Sequence, residues 1–343
     1  MENEQPDIIN VDPLRYYEIL YDVDGNHKYK SWTRGESIGK GVHRVYKFTL
    51  PDDETIYAGK IVEKFGEMNN DRRSRLRSEI RIHRNMNHKH IVKYVTSFQH
   101  ERDYVIIMDY CENTSMDKLL KTRKQLTHKE TRYYIKQIVE AVQYLHGKNI
   151  IHRDLKPGNI FLDDNLHVKV GDFGMSAQLS YTGERLTTIC GTPNYIAPEV
   201  LEADSYNGCG YSFEVDIWSI GVIIYSMLIG RAPFETSDTK TTYRRIRDSI
   251  YYFPERVKIS EDAKNLIRSC LKKEASDRIK LDDILKHPFF TEHYTPESLP
   301  ISSLVMKPMF NHSTQIEEKI IYYDLPSVDD LPYEALENDQ AID

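Results

Sequence analysis

The sequence predicts an α+β fold of two lobes: a small, mostly β lobe that carries one helix, followed by a larger, mostly α lobe. Short runs rich in β-branched and aromatic residues fill residues 32–110, as is typical of strands. After Cys111 apolar residues recur at helical spacing, first in Lys129–His146. The most apolar run, Ile217–Gly230, has 14 residues, too few to span a bilayer, and predicts a buried core helix.

The small lobe is predicted to contain five strands and one helix. The strands are Ser37–Ile38, Val45–Thr49, Ile56–Val62, Ile91–Phe98 and Tyr104–Met108. The helix is Arg72–Asn85, because Leu76, Ile80 and His83 share one of its faces.

Composition divides the chain into an N-terminal extension (1–31), a small lobe (32–110), a large lobe (111–290) and an acidic C-terminal tail (291–343). The net charge of −7 is uneven, because residues 317–343 hold nine acids and one lysine, a net −8. The remaining residues therefore sum to about +1, which does not indicate a nucleic-acid-binding surface.

The cysteines and the N-terminus exclude further classes of protein. The four cysteines form no CxxC pair and no zinc-type spacing, which indicates reduced thiols. The polar, acidic N-terminus does not fit a signal peptide. We therefore expect a cytoplasmic and nuclear protein with no membrane partner. We also expect a monomer. The three histidines His83, His88 and His90 also suggest a metal site, but we favour an interior position for His83 and a turn for the other two.

Residues 152–174, HRDLKPGNIFLDDNLHVKVGDFG, hold charged and amide side chains at fixed offsets. Asp154, Lys156 and Asn159 come first, and Asp172 follows 13 residues after Asn159, beyond a predicted hairpin. Phosphoryl transfer from a metal-bound nucleotide needs an acid at the accepting hydroxyl, an ammonium at the phosphate, and an amide and an acid for the metal. A surface hairpin with incidental acids is the alternative, which the motifs elsewhere in the chain disfavour.

A strand–loop–strand near the start of the small lobe supplies candidate nucleotide contacts. They are Ile38, Gly39, Lys40, Gly41 and Val45. Its glycines would let backbone amides approach phosphates without a Cβ in the way. Ala58 and Lys60 follow on the next strand, where Lys60 is predicted to hold the nucleotide phosphates. Glu79, 19 residues later, is predicted to pair with Lys60 rather than to be a solvated helix acid.

The stretch Thr188–Glu199, TICGTPNYIAPE, lies between the motif DFG (residues 172–174) and the helical lobe. Two structural roles are predicted nearby. Glu199 should form an ion pair with Arg278, and Asp216 should brace the 152–159 loop from the buried helix.

These motifs cover about residues 32–290 and resemble the eukaryotic protein kinase family. A finer resemblance, to polo-like serine/threonine kinases, is carried by AGKIV at 58–62, GTPNYIAPEVL at 191–201, SFEVDIWSIG at 212–221 and APFET at 232–236. The resemblance implies a bilobal protein kinase fold with ATP bound between the lobes and Mg²⁺ as the metal.

The resemblance also assigns roles to single residues. Asp154 matches the catalytic base, Asn159 and Asp172 match the metal ligands, and Asp109–Cys111 matches the hinge. Met108 takes the gatekeeper position.

A role in cell-division control, with association to centrosome and spindle, is implied in the same way. Thr188 becomes the expected phosphosite of an upstream kinase, with Thr187 as the alternative. A phosphate on this segment could pair with Arg153 and order the loop.

Three departures from the family accompany the resemblance. The glycine loop is one residue short, with His43 where a third glycine or an alanine usually stands. Gln178 replaces a basic residue that polo-like kinases often carry after DFG. The polo-box region that follows the kinase domain in this family is not in the sequence.

The substrate class can be partly predicted. Arginine-directed kinases usually carry glutamates at positions that match Gly158 and Ser226, both uncharged here. We therefore expect no strong arginine-directed preference. The resemblance to polo-like kinases, which favour an acidic residue two positions before the acceptor, implies an acidic preference among Ser/Thr protein substrates. Two alternatives stay open: a pseudokinase scaffold, supported by the short glycine loop, and another mitotic kinase subfamily, Aurora- or NEK-like, which GTPNYIAPEVL disfavours.

Overall fold

The structure is a computed structural model of the 343-residue chain, and it describes residues 14–40, 44–63, 70–100, 103–113, 115–181, 183–203 and 209–306. The small lobe is built on a six-stranded antiparallel sheet in the order β1-β2-β3-β4-β6-β5. Its strands are β1 (Arg15–Tyr21), β2 (His27–Lys40), β3 (Arg44–Leu50), β4 (Asp53–Glu63), β5 (Tyr94–His100) and β6 (Asp103–Asp109). Helix α1 (Asn70–His83) lies between β4 and β5 in the sequence.

Each of the five predicted strands has a counterpart, and residues 15–31 of the predicted extension add β1 and the beginning of β2. β1 packs through Tyr16, whose ring lies 5.3 Å from Phe48, and through Glu18. The buried Glu18 carboxylate accepts hydrogen bonds from Trp32 Nε1 at 2.9 Å and Thr96 Oγ1 at 2.5 Å. These long-range partners satisfy a buried acid and fix the strand to the sheet.

The two faces of the sheet pack against different neighbours. The outer face forms a small core of Tyr16, Trp32, Phe48, Ile61, Val105 and Ile107. The inner face packs on α1 through Val62, Leu76 and Ile106. Because side chains alternate along a strand, Ala58 and Lys60 lie on this inner face with Val62.

The large lobe is mostly helical, as predicted. In chain order it holds α2 (Met116–Arg123), α3 (His128–Gly147), β7 (Ile150–Ile151), β8 (Ile160–Leu162), β9 (Val168–Val170), β10 (Ala177–Gln178), α4 (Pro198–Leu201), α5 (Glu214–Ile229), α6 (Thr239–Arg247), α7 (Glu261–Cys270), α8 (Leu281–Ile284) and α9 (Pro288–Thr291). Helix α3 begins with a capping box, in which Thr127 and Glu130 satisfy each other's backbone N–H groups.

Helix α5 is the core helix that the apolar run predicts, and every residue from Val215 to Ile229 is buried. A Cβ on Gly221 would lie 2.6 Å from Cys270 Cβ, so this glycine permits close packing of α5 on α7. Within the described residues, no helix combines the length and apolarity that crossing a membrane requires.

The first part of the predicted tail packs on the large lobe. Arg132 Nε donates to the Tyr294 carbonyl at 3.0 Å, and Arg123 Nη1 donates to the Ser303 carbonyl. Leu299 is buried in the same core cluster as the helices. Residues 292–304 therefore lie against the domain, while 307–343 fall outside the described residues.

Candidate active site

The β8–β9 hairpin brings the two predicted metal ligands together. Ile160 pairs with Val170, and Gly171 N donates to the Asn159 carbonyl at 2.9 Å. Asp172 is therefore the residue directly after Gly171, whose backbone contacts Asn159. This is the juxtaposition that the turn-forming residues between the strands predict.

The loop before the hairpin forms a compact polar cluster around Asp154. Lys156 Nζ lies 2.7 Å from Asp154 Oδ2, and Asn159 Nδ2 donates to the same oxygen at 3.0 Å. Thr192 Oγ1 donates to Asp154 Oδ1 at 2.7 Å and accepts from Lys156 Nζ at 2.6 Å. Thr192 is a site residue that the sequence analysis did not single out.

Asp216 of α5 holds this loop from beneath, as predicted. Its fully buried carboxylate accepts from His146 Nε2 and the backbone N–H of His152, both at 2.9 Å, and from the backbone N–H of Arg153 at 3.0 Å. Burial would raise the pKa of Asp216, but these hydrogen bonds and the nearby histidines hold it below its ordinary value. The brace also stabilises a left-handed backbone at Arg153, with φ of 65°.

Across the cleft, Lys60 of β4 contacts two carboxylates. Its Nζ lies 2.7 Å from Glu79 Oε1 on α1 and 3.1 Å from Asp172 Oδ1. Partial burial favours the protonated form of Asp172, yet the charge of Lys60 keeps the pKa of Asp172 below its ordinary value. The predicted Lys60–Glu79 pair is therefore formed, and Asp172 joins it.

Phe173 and His83 join α1 to the start of the segment after Asp172. The buried Phe173 ring lies 5.0 Å from the His83 ring and 5.5 Å from that of His152. His83 Nε2 is 2.8 Å from the Val92 carbonyl, and burial lowers the pKa of His83 to about 4. His83 is thus a neutral interior histidine, as predicted.

Several predicted nucleotide contacts of the small lobe, including Ala58 and Lys60, lie side by side on the sheet. Gly39 pairs with Val45, Val45 with Lys60, and Ala58 with Met108, which sets these residues side by side. Ile38 lies at an irregularity between the Ser37 and Gly39 pairs.

The residues predicted to form the hinge come at the end of β6 and just after it. Asp109 ends β6, and Cys111 lies in the link to α2, where burial raises the pKa of its thiol to about 12. Gly41, His43 and the side chain of Lys40 fall outside the described residues, so the shape of the short loop stays a prediction.

The cluster fits a nucleotide with a divalent metal. Asn159 Nδ2 is used in bonds to the Asp154 carbonyl and carboxylate, which leaves the amide oxygen as its available ligand atom. Asp172 keeps 45% of its side chain exposed beside the Lys60 ammonium. Oxygen ligands of this kind, completed by phosphate oxygens and water, are what Mg²⁺ takes in nucleotide sites. Among the described residues, no group of three or more His, Cys, Asp or Glu could hold a metal.

The segment after DFG is fastened to the large lobe around Tyr211. Leu186 and Tyr211 exchange two backbone hydrogen bonds of 2.9 Å, and Tyr211 OH donates to the Thr188 carbonyl at 2.6 Å. Arg153 donates through Nε to the Met175 carbonyl at 2.5 Å and through Nη1 to Tyr211 OH at 3.1 Å. The Tyr211 hydroxyl therefore links the Arg153 guanidinium to the Thr188 backbone. This role of Tyr211 was not predicted from the sequence.

The predicted ion pair that closes this segment is formed as a two-pronged contact. Arg278 Nη1 and Nη2 lie 2.6 and 2.7 Å from the two Glu199 carboxylate oxygens. The guanidinium is buried and lies 5.0 Å from the Trp218 ring centre. Such a bidentate pair anchors the end of the segment to α5 and the loop before α8.

A sheet lobe and a helical lobe, with Lys60–Glu79 on one side of the cleft and Asp154, Asn159 and Asp172 on the other, define the fold and site of a protein kinase. Residues 32–290 match the protein kinase domain family, to which the chain belongs. The predicted bilobal kinase fold is confirmed.

Several similar proteins are serine/threonine kinases named PLK or polo. The chain is 45% identical over 298 residues to the probable serine/threonine-protein kinase PLK of Dictyostelium discoideum. The match covers 87% of this chain and 30% of that protein. It is 42% identical over 296 residues to serine/threonine-protein kinase PLK1 of Xenopus laevis, a match that covers 86% of this chain and 48% of that protein. It is 40% identical over 299 residues to serine/threonine-protein kinase polo of Drosophila melanogaster, a match that covers 87% of this chain and 50% of that protein. The resemblance to polo-like kinases is confirmed over this domain, and the chain spans half or less of each relative.

Proposed function

We propose that this chain is a polo-like serine/threonine protein kinase that transfers the γ-phosphate of ATP, with Mg²⁺, to Ser or Thr of protein substrates. The observation that carries the proposal is the convergence of Lys60, Asp154, Asn159 and Asp172 on one cleft, with Lys60 held 2.7 Å from Glu79. A scaffold with a kinase fold has no need to keep these charged groups in contact, whereas phosphoryl transfer needs them together.

Each residue has a role in positioning. Bound Mg²⁺–ATP would supply the transferable phosphoryl group and neutralise its charge. Lys60, oriented by Glu79, would hold the nucleotide phosphates, and Lys156 would lie beside the γ-phosphoryl group. The amide oxygen of Asn159 and the carboxylate of Asp172 would be the metal ligands.

Asp154 would orient the acceptor hydroxyl and take its proton. Of its two oxygens, Oδ2 accepts from Lys156 and Asn159, while Oδ1 accepts only from Thr192 among the described residues. Oδ1 therefore keeps more free acceptor capacity, and we assign it to the incoming hydroxyl. Thr192, by fixing Oδ1, would help to align the acceptor.

An acidic rather than arginine-directed substrate preference fits the two positions that lack an acid. Ser226 is buried and its hydroxyl is 2.8 Å from the Val222 carbonyl, so it presents no charge. A Cβ on Gly158 would meet only Lys156 Cε, at 3.8 Å, so the space for an acid is present but unused. No carboxylate stands at either position to pair with an upstream arginine of a substrate.

The resemblance to the family supports a proposal for regulation and cellular location. We propose that an upstream kinase phosphorylates Thr188, an exposed residue whose backbone is joined to Arg153 through Tyr211. We also propose a monomer that acts in cell-division control in the cytoplasm and nucleus, with access to centrosome and spindle.

A radiolabelled-ATP assay with two peptides tests the proposal. Wild type should phosphorylate an Asp/Glu-x-Ser/Thr-hydrophobic peptide faster than an Arg-x-x-Ser peptide, and Asp154→Asn should abolish transfer. Asp164→Asn is the matched control, because Asp164 is exposed at the hairpin turn of the same stretch. Absence of transfer by folded wild type would favour the scaffold, and equal or reversed rates for the two peptides would reject the acidic preference.

A further inference from the structure

Helix α1 carries a row of four arginines along one side. Arg73, Arg77, Arg81 and Arg84 follow one another at intervals of four, four and three residues, so they share one face of the helix and its end. Arg77, Arg81 and Arg84 are exposed and Arg73 is half-buried. We call these four residues the arginine stripe, which is about 16 Å long at 1.5 Å per residue.

The arginine stripe has no acidic partner among the described residues. Other surface helices pair their cations within one turn: Lys121 with Asp117 at 3.0 Å, and Lys264 with Glu261 at 2.6 Å. Like charges four residues apart destabilise a helix. The repulsion along the stripe would be relieved by an anionic ligand that lies along it.

The chain itself contains a segment of matching charge. Residues 317–343 hold nine acids and one lysine. The described chain ends at 306, and extended residues 307–343 could reach up to ~120 Å. This exceeds several times the ~19 Å radius of gyration expected for a domain of this size, so reach does not limit the contact. Attachment to the same chain would also give the segment an effective concentration in the millimolar range.

We propose that the acidic segment 317–343 docks on the arginine stripe of α1. Arginine is suited to this because its guanidinium binds carboxylates through two parallel hydrogen bonds. A second basic row, Lys240, Arg244 and Arg247 on α6, is the less suitable surface, because Asp238 and Asp248 flank that helix.

Docking on α1 would act on the helix that positions the active site. Glu79 of α1 makes the ion pair with Lys60, and His83 of α1 packs on Phe173. The segment would thus have a direct mechanical link to the cleft. The inference goes beyond the proposed function, and its test requires no catalysis.

Carbodiimide crosslinking of the full chain tests the contact, because the reagent joins lysine amines to carboxylates that touch them. The variant Arg77→Lys/Arg81→Lys keeps the charge of the stripe and introduces reactive amines, and Arg84→Lys is an independent second variant. Mass spectrometry should find crosslinks between these positions and residues 317–343. The crosslinks should be lost in ~1 M salt, where the screening length falls to ~3 Å.

Lys240 is the internal control, because it is an exposed lysine of the basic row on α6 in the same molecule. Equal crosslinking of Lys240 to the segment, or none at α1 in either variant, would overturn the proposal. A mixture of ¹⁵N-labelled and unlabelled chains distinguishes docking within one chain from docking on a second copy. Mixed-isotope crosslinks, in the share that random pairing of labelled and unlabelled chains gives, would assign the stripe to a second copy and overturn docking within one chain.

Discussion

The ammonium of Lys60 and the carboxylate of Glu79 lie 2.7 Å apart, although one belongs to the sheet and the other to the helix packed on it. Both side chains are about nine-tenths buried. Burial opposes the charge on Lys60, but the carboxylates of Asp172 and Glu79 outweigh it and keep the pKa of Lys60 above its ordinary value. A charged lysine is therefore held inside the cleft by the position of α1.

Glu79→Gln should lower kcat/KM by about 10²-fold, in the range found when one preorganised electrostatic contact is removed. The neutral amide would leave Lys60 with Asp172 as its remaining acid, so the ammonium would shift away from the phosphates. Steady-state kinetics on the peptide substrate measure the loss. Glu54→Gln, an exposed acid on the same strand as Lys60, should leave activity unchanged. Retained activity in Glu79→Gln would show that the pair does not position Lys60.

Phosphorylation of Thr188 should raise activity, and Thr188→Val should remove the rise while Thr187→Val keeps it. Arg153 already reaches the Thr188 backbone through Tyr211, so a phosphate there would meet a guanidinium. One charge-assisted hydrogen bond contributes about 1.5–3 kcal/mol, equivalent to about tenfold or more in the population of the ordered segment. Treating both variants with an activating kinase and comparing their rates measures the effect. A rise that persists in Thr188→Val and disappears in Thr187→Val would move the site to Thr187.

Stability should fall as the pH drops from about 6.5 to about 4, partly because of His83. Its pKa is lowered from 6.5 to about 4 by burial, so the unfolded chain binds a proton in this window before the folded chain does. The neutral His83 has no effect on the free energy of unfolding above pH 6.5. By pH 5 its resistance to protonation in the folded state lowers the free energy of unfolding by about 2 kcal/mol. Thermal unfolding of wild type and His83→Gln at pH 7.5 and pH 5 measures it.

In this comparison His83→Gln should lose less stability than wild type between the two pH values. His167→Gln, in which a half-buried histidine of the hairpin is replaced, is the matched control and should behave as wild type. The same pH dependence in His83→Gln and wild type would assign the acid sensitivity to other groups, such as His90, whose pKa burial also lowers to about 4.

The parts of the site that sequence predicted are those with strong local signals. The Lys60–Glu79 pair and the approach of Asp172 to Asn159 follow from side-chain types at fixed offsets on elements with clear periodicity. Helix α5 follows from one apolar run, and the brace by Asp216 from an acid placed at its start.

What sequence did not predict depends on partners far away in the chain. Glu18 looks like a surface acid until Trp32 and Thr96 reach it, 14 and 78 residues later. Thr192 contacts Asp154 across 38 residues, and Tyr211 contacts Arg153 across 58. A threonine or a tyrosine has no distinctive spacing, so such contacts emerge only when the path of the segment after DFG is known.

Gly59, between Ala58 and Lys60 on β4, is fixed by a close approach of the Phe48 ring. A Cβ on Gly59 would lie 2.2 Å from Phe48 Cδ2, far inside van der Waals contact. Gly59→Ala should therefore destabilise the small lobe by about 1–3 kcal/mol, the usual cost of overpacking a filled core. It should also displace Lys60, the next residue on the strand, and lower activity. Chemical denaturation and the peptide assay measure the two effects.

The Phe48 ring should be the cause of that loss, so Phe48→Leu should partly relieve it. The double variant Phe48→Leu/Gly59→Ala should be more stable than the sum of the two single changes predicts, because the smaller side chain makes room for the methyl group. Gly35→Ala on β2 is the matched control, since its Cβ would meet Lys47 at an ordinary 3.5 Å. Additive effects in the double variant would contradict the proposed clash, because two residues in contact must couple whereas independent ones do not.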